Sequence, residues 1–249
     1  AASRGCYWRR CECCPEALAP VHPYAALAAA KVPLLMRELA ECFGADQIHF
    51  TDDALPPAVL QALAAQPGGP RWHGFARFEG MLADPAFTRR LAASGCRLLQ
   101  LGLESGSQAV LDRLRKGTQV AEAAAVLDAL RQAGIATYVY VLLGTPGETL
   151  ADAEATLSFL EQQADKIDFL NLAIMNLPRP AGETELPAEE GLGFYREFAP
   201  SPGWDRRAVR RFLKERLLGS PAVRAAVNRV PPAFTSNHAY LFSPARGRG

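Results

Sequence analysis

Apolar positions along the chain recur in two alternating rhythms, one with helical spacing and one with the continuous or alternating apolar runs of strands. Tyr24 to Phe43 has the helical pattern and is rich in Ala, Leu and Glu; Pro33 marks a kink or a later start, and Gly44 is placed to end it. Gln47-Ile48-His49-Phe50 predicts a short buried strand closed by Thr51-Asp52-Asp53, and Pro56 to Ala65 a helix with proline in its first turn. Trp72 to Phe78 reads as a strand ending near Arg77 and Glu79. Asp84 to Ser94 follows as a helix, with Asp84 as N-cap. Leu98 to Leu103 is a strand ending at Glu104 and Ser105. Helix then runs to about Arg115, and a second helix ends at Gln132 after the Lys116-Gly117-Thr118 break. Ile135 to Leu143 is β-branched, aromatic and apolar, and predicts a strand that stops at Gly144-Thr145-Pro146-Gly147-Glu148. Thr149 and Asp152 form the signature of a capping box for a helix to Gln163, and Ile167 to Met175 is a last strand, ending at Asn176.

Strand and helix therefore alternate, and strand centres lie roughly 25 to 38 residues apart, against about 31 per unit in an eightfold βα barrel. The expectation is an α/β fold of parallel strands, a partial barrel with five strands in this chain and a sixth before it. Residues 1–176 form the expected barrel core and 177–249 a C-terminal loop and basic helical extension, with Pro178 to Glu190 as a proline- and acid-rich loop or lid. In such folds sites sit at the carboxyl ends of the strands. Here those ends carry Asp52 and Asp53, Arg77 and Glu79, Glu104 and Ser105, the Gly144–Glu148 turn, and Asn176. Each is also an ordinary helix-capping residue; their convergence on one rim is what raises their interest.

The 249 residues are 49% hydrophobic and carry a formal net charge of +1, which argues against a globally nucleic-acid-binding surface. No apolar run reaches the ~18 residues of a membrane span, and no secretory signal is visible. The charge is uneven. From Arg196 onward eleven Lys/Arg face three Asp/Glu, centred on Asp205 to Arg216, which reads as a solvated amphipathic helix or as a docking face for an acidic partner, a missing domain or RNA. His22, His49 and His73 read as packing or capping residues, and His238 sits in a late polar cluster, Phe234 to Ala239.

Four of the six cysteines fall within nine residues, in Ser3-Arg4-Gly5-Cys6-Tyr7-Trp8-Arg9-Arg10-Cys11-Glu12-Cys13-Cys14-Pro15. Thiolates that dense repel unless a cation lies among them, so the run predicts an iron–sulfur cluster held by Cys6, Cys11 and Cys14 with one iron left open, or a zinc site, or disulfides or inert thiols. Cysteines clustered at one point indicate a reducing compartment, the cytoplasm, with Cys42 and Cys96 as buried small hydrophobes. Only five residues precede Cys6, too few for a framework strand, so the chain reads as a piece of a longer protein whose first strand, or a whole domain, lies upstream.

The cysteine run, together with Phe50-Thr-Asp-Asp53, Leu101-Gly-Leu-Glu-Ser-Gly-Ser107 with Lys116-Gly117-Thr118, and Leu143-Gly-Thr-Pro-Gly-Glu148, resembles the radical S-adenosylmethionine (radical SAM) enzymes. The resemblance spans residues 3 to 176 and is nearest the branch whose members often carry an upstream cobalamin-binding domain. It implies a partial (β/α)6 barrel. It also implies a 4Fe-4S cluster on Cys6, Cys11 and Cys14, whose open iron chelates SAM, and reductive cleavage of SAM to a 5′-deoxyadenosyl radical. By the same resemblance Asp52 and Asp53 meet the SAM amino group, Glu104 and Ser105 the ribose, and Lys116 the carboxylate. Leu142 and Gly144 lie against the adenine, and Asn176 finishes that edge. It implies an electron donor such as flavodoxin or ferredoxin, and a small-molecule or peptide substrate. Methyl transfer through cobalamin is the expected outcome by branch; the rivals are RNA methylthiolation, with nucleic acid otherwise disfavoured, and a non-catalytic cluster or zinc protein. The first cysteine gap has four residues where three is commoner, Cys13 replaces the usual aromatic before the last ligand, and no cobalamin-binding region lies in this chain.

Overall fold

The computed structural model describes residues 1–12, 14–18, 20, 22–178, 195–196 and 198–230. Cys13, most of the Pro178–Glu190 loop and the Phe234–Ala239 cluster with His238 lie outside them. In chain order the strands are β1 Ser3–Arg4, β2 Ala25–Ala26, β3 Gln47–Phe50, β4 Arg71–Ala76, β5 Cys96–Glu104, β6 Ala136–Leu143, β7 Phe169–Ile174, β8 Leu177–Pro178 and β9 Tyr195–Arg196. The helices are α1 Pro15–Leu18, α2 Val32–Phe43, α3 Pro57–Ala64, α4 Pro85–Ala93, α5 Gln108–Arg113, α6 Val120–Gln132, α7 Leu150–Gln163, α8 Arg206–Phe212 and α9 Pro221–Asn228. A π-helical turn, Leu213–Leu217, continues α8.

Strands β3 to β7 form one open sheet in sequential order, every pair parallel, so all five carboxyl ends share one rim. This is an α/β partial barrel with helices on its outer face. Successive residues of a strand point to opposite faces. On the outer face Phe50, Trp72, Leu99, Leu101, Val139, Val141 and Leu170 join one core with Leu60, Leu91, Val126 and Leu160 of the covering helices. Full burial of each such side chain contributes about 1.5–3 kcal/mol. The concave face differs: it carries His49, His73, Phe75, Gln100, Tyr138, Tyr140 and Asn171. At its lower end Val230, just past α9, packs against Leu98, Ala136, Tyr138 and Phe169.

The helices begin where local chemistry directs. Asp84 caps α4 by accepting from the Ala86 N–H at 2.8 Å, and Thr149 and Asp152 close a reciprocal capping box on α7. Two expectations fail. The helix expected from Tyr24 starts only at Val32, after a 3-10 turn at Ala29–Lys31, because Pro33 is tolerated in a first turn and not in a helix interior. Tyr24 lies in extended chain instead, and the next two residues pair antiparallel with Ser3–Arg4; the cysteine loop thus hangs from a two-residue strand outside the main sheet. Cys96 is fully buried as expected, but Cys42 is exposed, because it lies on the outward side of α2. No described helix is long and apolar enough to cross a membrane.

Candidate functional site

The cysteine loop lies across the rim at the ends of β3, β4 and β5. Gly5 and Arg9 both take left-handed backbone conformations (φ 73° and 48°), which fold the loop back on itself. Cys14 N–H donates to the Cys11 carbonyl at 3.3 Å and Ala17 N–H to the Cys14 carbonyl at 3.0 Å, leading into α1. Cys6, Cys11 and Cys14 are free, half-buried thiols. Burial pushes the Cys14 thiol above its ordinary value; the N–H groups of Glu16 and Ala17 oppose that, and Cys11 and Cys6 reinforce it, so the three sulfurs share one electrostatic neighbourhood. No three Cys, His, Asp or Glu side chains among the described residues converge on a single metal ion. A four-iron cluster distributes its thiolates over separate irons, so three neighbouring thiols on one loop are a donor set that fits it.

Three anchors tie the loop to the rim. The Asp52 carboxylate, 3% exposed after β3, accepts from the N–H groups of Ala2 (2.9 Å) and Ser3 (2.5 Å) and from the Ser3 hydroxyl (2.6 Å). Tyr7 donates its hydroxyl to Glu79 at 2.5 Å; burial, and then that carboxylate, pushes its pKa well above the usual phenol range. Trp8 donates its indole N–H to the Arg115 carbonyl at 2.9 Å, Glu12 N–H donates to the Leu114 carbonyl at 3.0 Å, and the Glu12 carboxylate pairs with Arg115 at 3.0 Å.

The ammonium of Lys116 lies 2.6 Å from a Glu104 carboxylate oxygen, both largely buried. Burial pulls the Lys116 pKa down, but the charge and hydrogen bond of Glu104 outweigh it and leave the pKa raised; Cys11 adds to the rise, which puts this pair beside the thiol loop. Two backbone features make room for the pair. A Cβ on Gly102 would stand 2.6 Å from Glu104 Oε1 and 3.0 Å from Lys116 Nζ, and Glu104 itself is left-handed at φ 65°, at the bulge where β5 leaves register with β6. A cavity of about 330 Å³ opens on the same rim at the ends of β3 and β4, lined by His49, Thr51, Asp52, Asp53 and Phe75.

The other expected residues take different places. Asp53 is exposed in that cavity, whereas the Asp52 oxygens are engaged by Ala2 and Ser3, since a buried carboxylate needs donors. Ser105 is buried, with its hydroxyl 2.9 Å from that of Thr156 on α7 and accepting from Ser107 N–H at 3.1 Å. Leu142 is partly buried on the concave face. Gly144 (φ 72°) faces Val209 of α8, whose methyls lie 3.4 Å from where its Cβ would be, and Asn176 accepts from Arg206 at 2.7 Å. The Gly144–Glu148 turn is held from inside: Glu148, 2% exposed, accepts from Gly144 N–H, Thr145 N–H and hydroxyl, and Trp204 Nε1, at 3.0–3.1 Å. Tyr7 and Trp8 stand in the cysteine run without an expected role of their own, Gly117 only as part of the Lys116-Gly117-Thr118 break, and Arg77 and Glu79 only as strand-end residues. Their signal was aromatics interleaved with the cysteines, and it becomes specific only once β4 and the 113–118 turn are neighbours.

The same architecture occurs in larger proteins of known structure. A radical SAM methyltransferase, TsrM from Kitasatospora setae, determined with cobalamin and a 4Fe-4S cluster bound, aligns with 72% of this chain and 36% of its own at 24% identity and a TM-score of 0.59. The cobalamin-dependent SAM radical enzyme OxsB aligns over 96% of this chain and 34% of its own, at 18% identity and a TM-score of 0.54. Both are likenesses of fold. Among curated proteins, a tRNA-2-methylthio-N(6)-dimethylallyladenosine synthase from Anaeromyxobacter sp. (strain K) is 43% identical over 82 residues, 32% of this chain and 17% of that protein. The chain thus spans 17–36% of the length of these relatives. The model of the Radical SAM superfamily matches residues 2–160, more than half of the chain, and on that match the chain belongs to the radical SAM superfamily, enzymes that work with a 4Fe-4S cluster and S-adenosylmethionine.

Proposed function

We propose that Cys6, Cys11 and Cys14 hold the cluster, and that SAM lies between it and the rim formed by Asp53, Gly102, Glu104 and Lys116, to be cleaved reductively. The observation that carries this reading is the thiol loop pinned beside the Lys116–Glu104 pair, on the rim where parallel α/β sheets bind ligands. The cluster, when bound, supplies the electron that breaks a carbon–sulfur bond of the SAM sulfonium and releases a 5′-deoxyadenosyl radical. The chain's own residues bind and orient. Without ligand, Lys116 and Glu104 neutralise each other; a bound carboxylate takes over Lys116, and Glu104 turns its oxygens to the ribose hydroxyls. Asp53, with Thr51 beside it, accepts from the amino group, and Asp52 holds the loop. Leu142 presents an apolar edge to the adenine, while Gly144 and Asn176 support that edge through Val209 and Arg206. Anaerobic reconstitution followed by incubation with SAM and dithionite should yield 5′-deoxyadenosine; an intact cluster with no product overturns the reading.

The substrate reaction we propose is methyl transfer linked to cobalamin carried outside this chain, with reduction by a flavodoxin- or ferredoxin-type donor. It is supported by likeness to TsrM and OxsB. A second reading, methylthiolation of RNA, has its own support in the 82-residue match and in the exposed arginines of α8. Nucleoside analysis of RNA incubated with the reconstituted protein, SAM and reductant separates the two: a methylthio product supports the second reading, and unmodified RNA alongside 5′-deoxyadenosine supports the first.

A further inference from the structure

Arg77 is the least expected residue at the rim. It is a cation with a side chain only 6% exposed, at the end of β4, and none of the roles above employs it. Its guanidinium makes three kinds of contact at once. It donates to Glu79 at 3.3 Å, the same carboxylate oxygen that receives the Tyr7 hydroxyl. It donates to the backbone carbonyl of Lys116. Its carbon lies 4.3 Å from the centroid of the Trp8 ring, with Arg10 over the same ring at 5.1 Å. Trp8 also lies on Gly117, where an added Cβ would fall 2.2 Å from the ring, and Gly117 is left-handed at φ 70°. Tyr7 and Trp8 fall between Cys6 and Cys11, so the residues that Arg77 grips lie inside the span of the proposed ligands.

A buried guanidinium is costly unless its donors are met, and planar stacking with forked hydrogen bonding is chemistry that lysine does not reproduce. We infer that Arg77 is the positioning residue of the cluster: it clasps the cysteine loop to β4 and the 113–118 turn through Trp8, and sets a fixed positive charge beside the thiolates. This rests on the ligand assignment above. Hydrogen bonds and net charge around the sulfurs set a cluster's potential, and an added positive charge favours the reduced state. The clasp also explains why Gly117 and Trp8 occur together, since any side chain at Gly117 would displace the ring.

The test uses the full chain in two states. In the apo protein, hydrogen exchange at the Glu12 amide, which is bonded to Leu114 at 3.0 Å, should accelerate in Trp8→Ala and Gly117→Ala; unchanged protection in both overturns the clasp. In the reconstituted protein, Arg77→Gln should move the cluster's midpoint potential to a more negative value, while Arg77→Lys, which keeps the charge and loses the fork, should stay near wild type. Equal potentials in Gln, Lys and wild type overturn the electrostatic role; a purely structural strut would not separate Gln from Lys. Cys11→Ala runs in parallel. If it keeps full iron, the ligand assignment has failed; if it loses iron while Arg77 variants match wild type, only this inference has failed.

Discussion

At the ends of β3, β4 and β5 the rim is open and polar; at the end of β6 the Gly144–Glu148 turn is sealed, and past β7 a cavity of about 620 Å³ opens beside Asn176, Asp205 and Arg206. The open half presents Asp53 in a cavity of about 330 Å³ at the end of β3 and the Glu104–Lys116 pair at the end of β5, with the thiol loop tied to this rim. The sealed half is filled by the segment after β9: Trp204, Val209 and Phe212 are buried, Pro200 accepts from Gly147 N–H at 2.8 Å, and Arg206 donates to the Met175 carbonyl at 2.9 Å. Both halves present polar strand ends, but their polar groups are satisfied differently. In the sealed half the partners are other parts of the chain in fixed geometry. In the open half Glu104 and Lys116 are paired with each other, over a glycine that leaves them space, and on the proposed reading a ligand exchanges for either. A buried ion pair that perturbs its lysine at a strand-end rim is a functional-site candidate.

Four predictions test this contrast. The largest effect is expected from Cys11→Ala: cluster iron is lost and 5′-deoxyadenosine formation abolished, with little change in apo-protein thermal stability because the thiol is not core; full iron content would remove Cys11 from the ligand set. Next, Lys116→Met should weaken SAM binding roughly ten- to a hundredfold, the value of a hydrogen bond to a charged group at ~1.5–3 kcal/mol. Titration calorimetry on reconstituted protein reads this, and wild-type affinity would place the carboxylate elsewhere. On the sealed side, Glu148→Ala leaves Gly144 N–H, Thr145 N–H and Trp204 Nε1 without their acceptor and should cost at least about 3 kcal/mol in denaturant unfolding, at roughly one to three per unmet buried group. Iron content should stay at the wild-type level; a matching loss of iron would show the halves to be coupled.

The smallest effect is expected at α7. Burial raises the Asp152 pKa, but donors from Ser107, Thr149 and Arg113 outweigh it and hold the carboxyl below its ordinary value of 3.8. A depressed folded pKa means the stabilisation is complete above the unfolded value and is lost as pH falls through the folded one. Asp152→Ala should therefore cost about 1 kcal/mol at neutral pH, as cap removal does, and nothing at strongly acid pH. Thermal melts across that range check the sign.

Much of the fold could be read from the chain because it rests on local rules. The strand at Gln47–Phe50 matches to the residue, the Thr149 capping box forms as its spacing demands, and Asp84 caps α4. At α2 propensity extends the helix back to Tyr24, and of the two outcomes Pro33 allows, a kink or a later start, the chain takes the later start, because proline fits a first turn and is costly in a helix interior. Cys42 was misplaced because helical periodicity identifies an apolar residue and not which side faces out. At the site, the rim positions were legible and the partners were not. Asp52 and Ser105 sit where their strands end, but Asp52 bonds to residues about 50 positions earlier and Ser105 to Thr156, about 50 positions later, pairings that no local window contains.

By itself the sequence determined the alternation of strand and helix, the common direction of the strand ends, and the three clustered thiols, because these follow from backbone geometry, patterning and covalent spacing. Only the tertiary structure decided which polar strand ends stay open. That depends on where α8 docks and on how Trp8 and Asp52 draw the cysteine loop inward. Such contacts join residues far apart in the chain, and they form only when packing makes the desolvation of their charges tolerable.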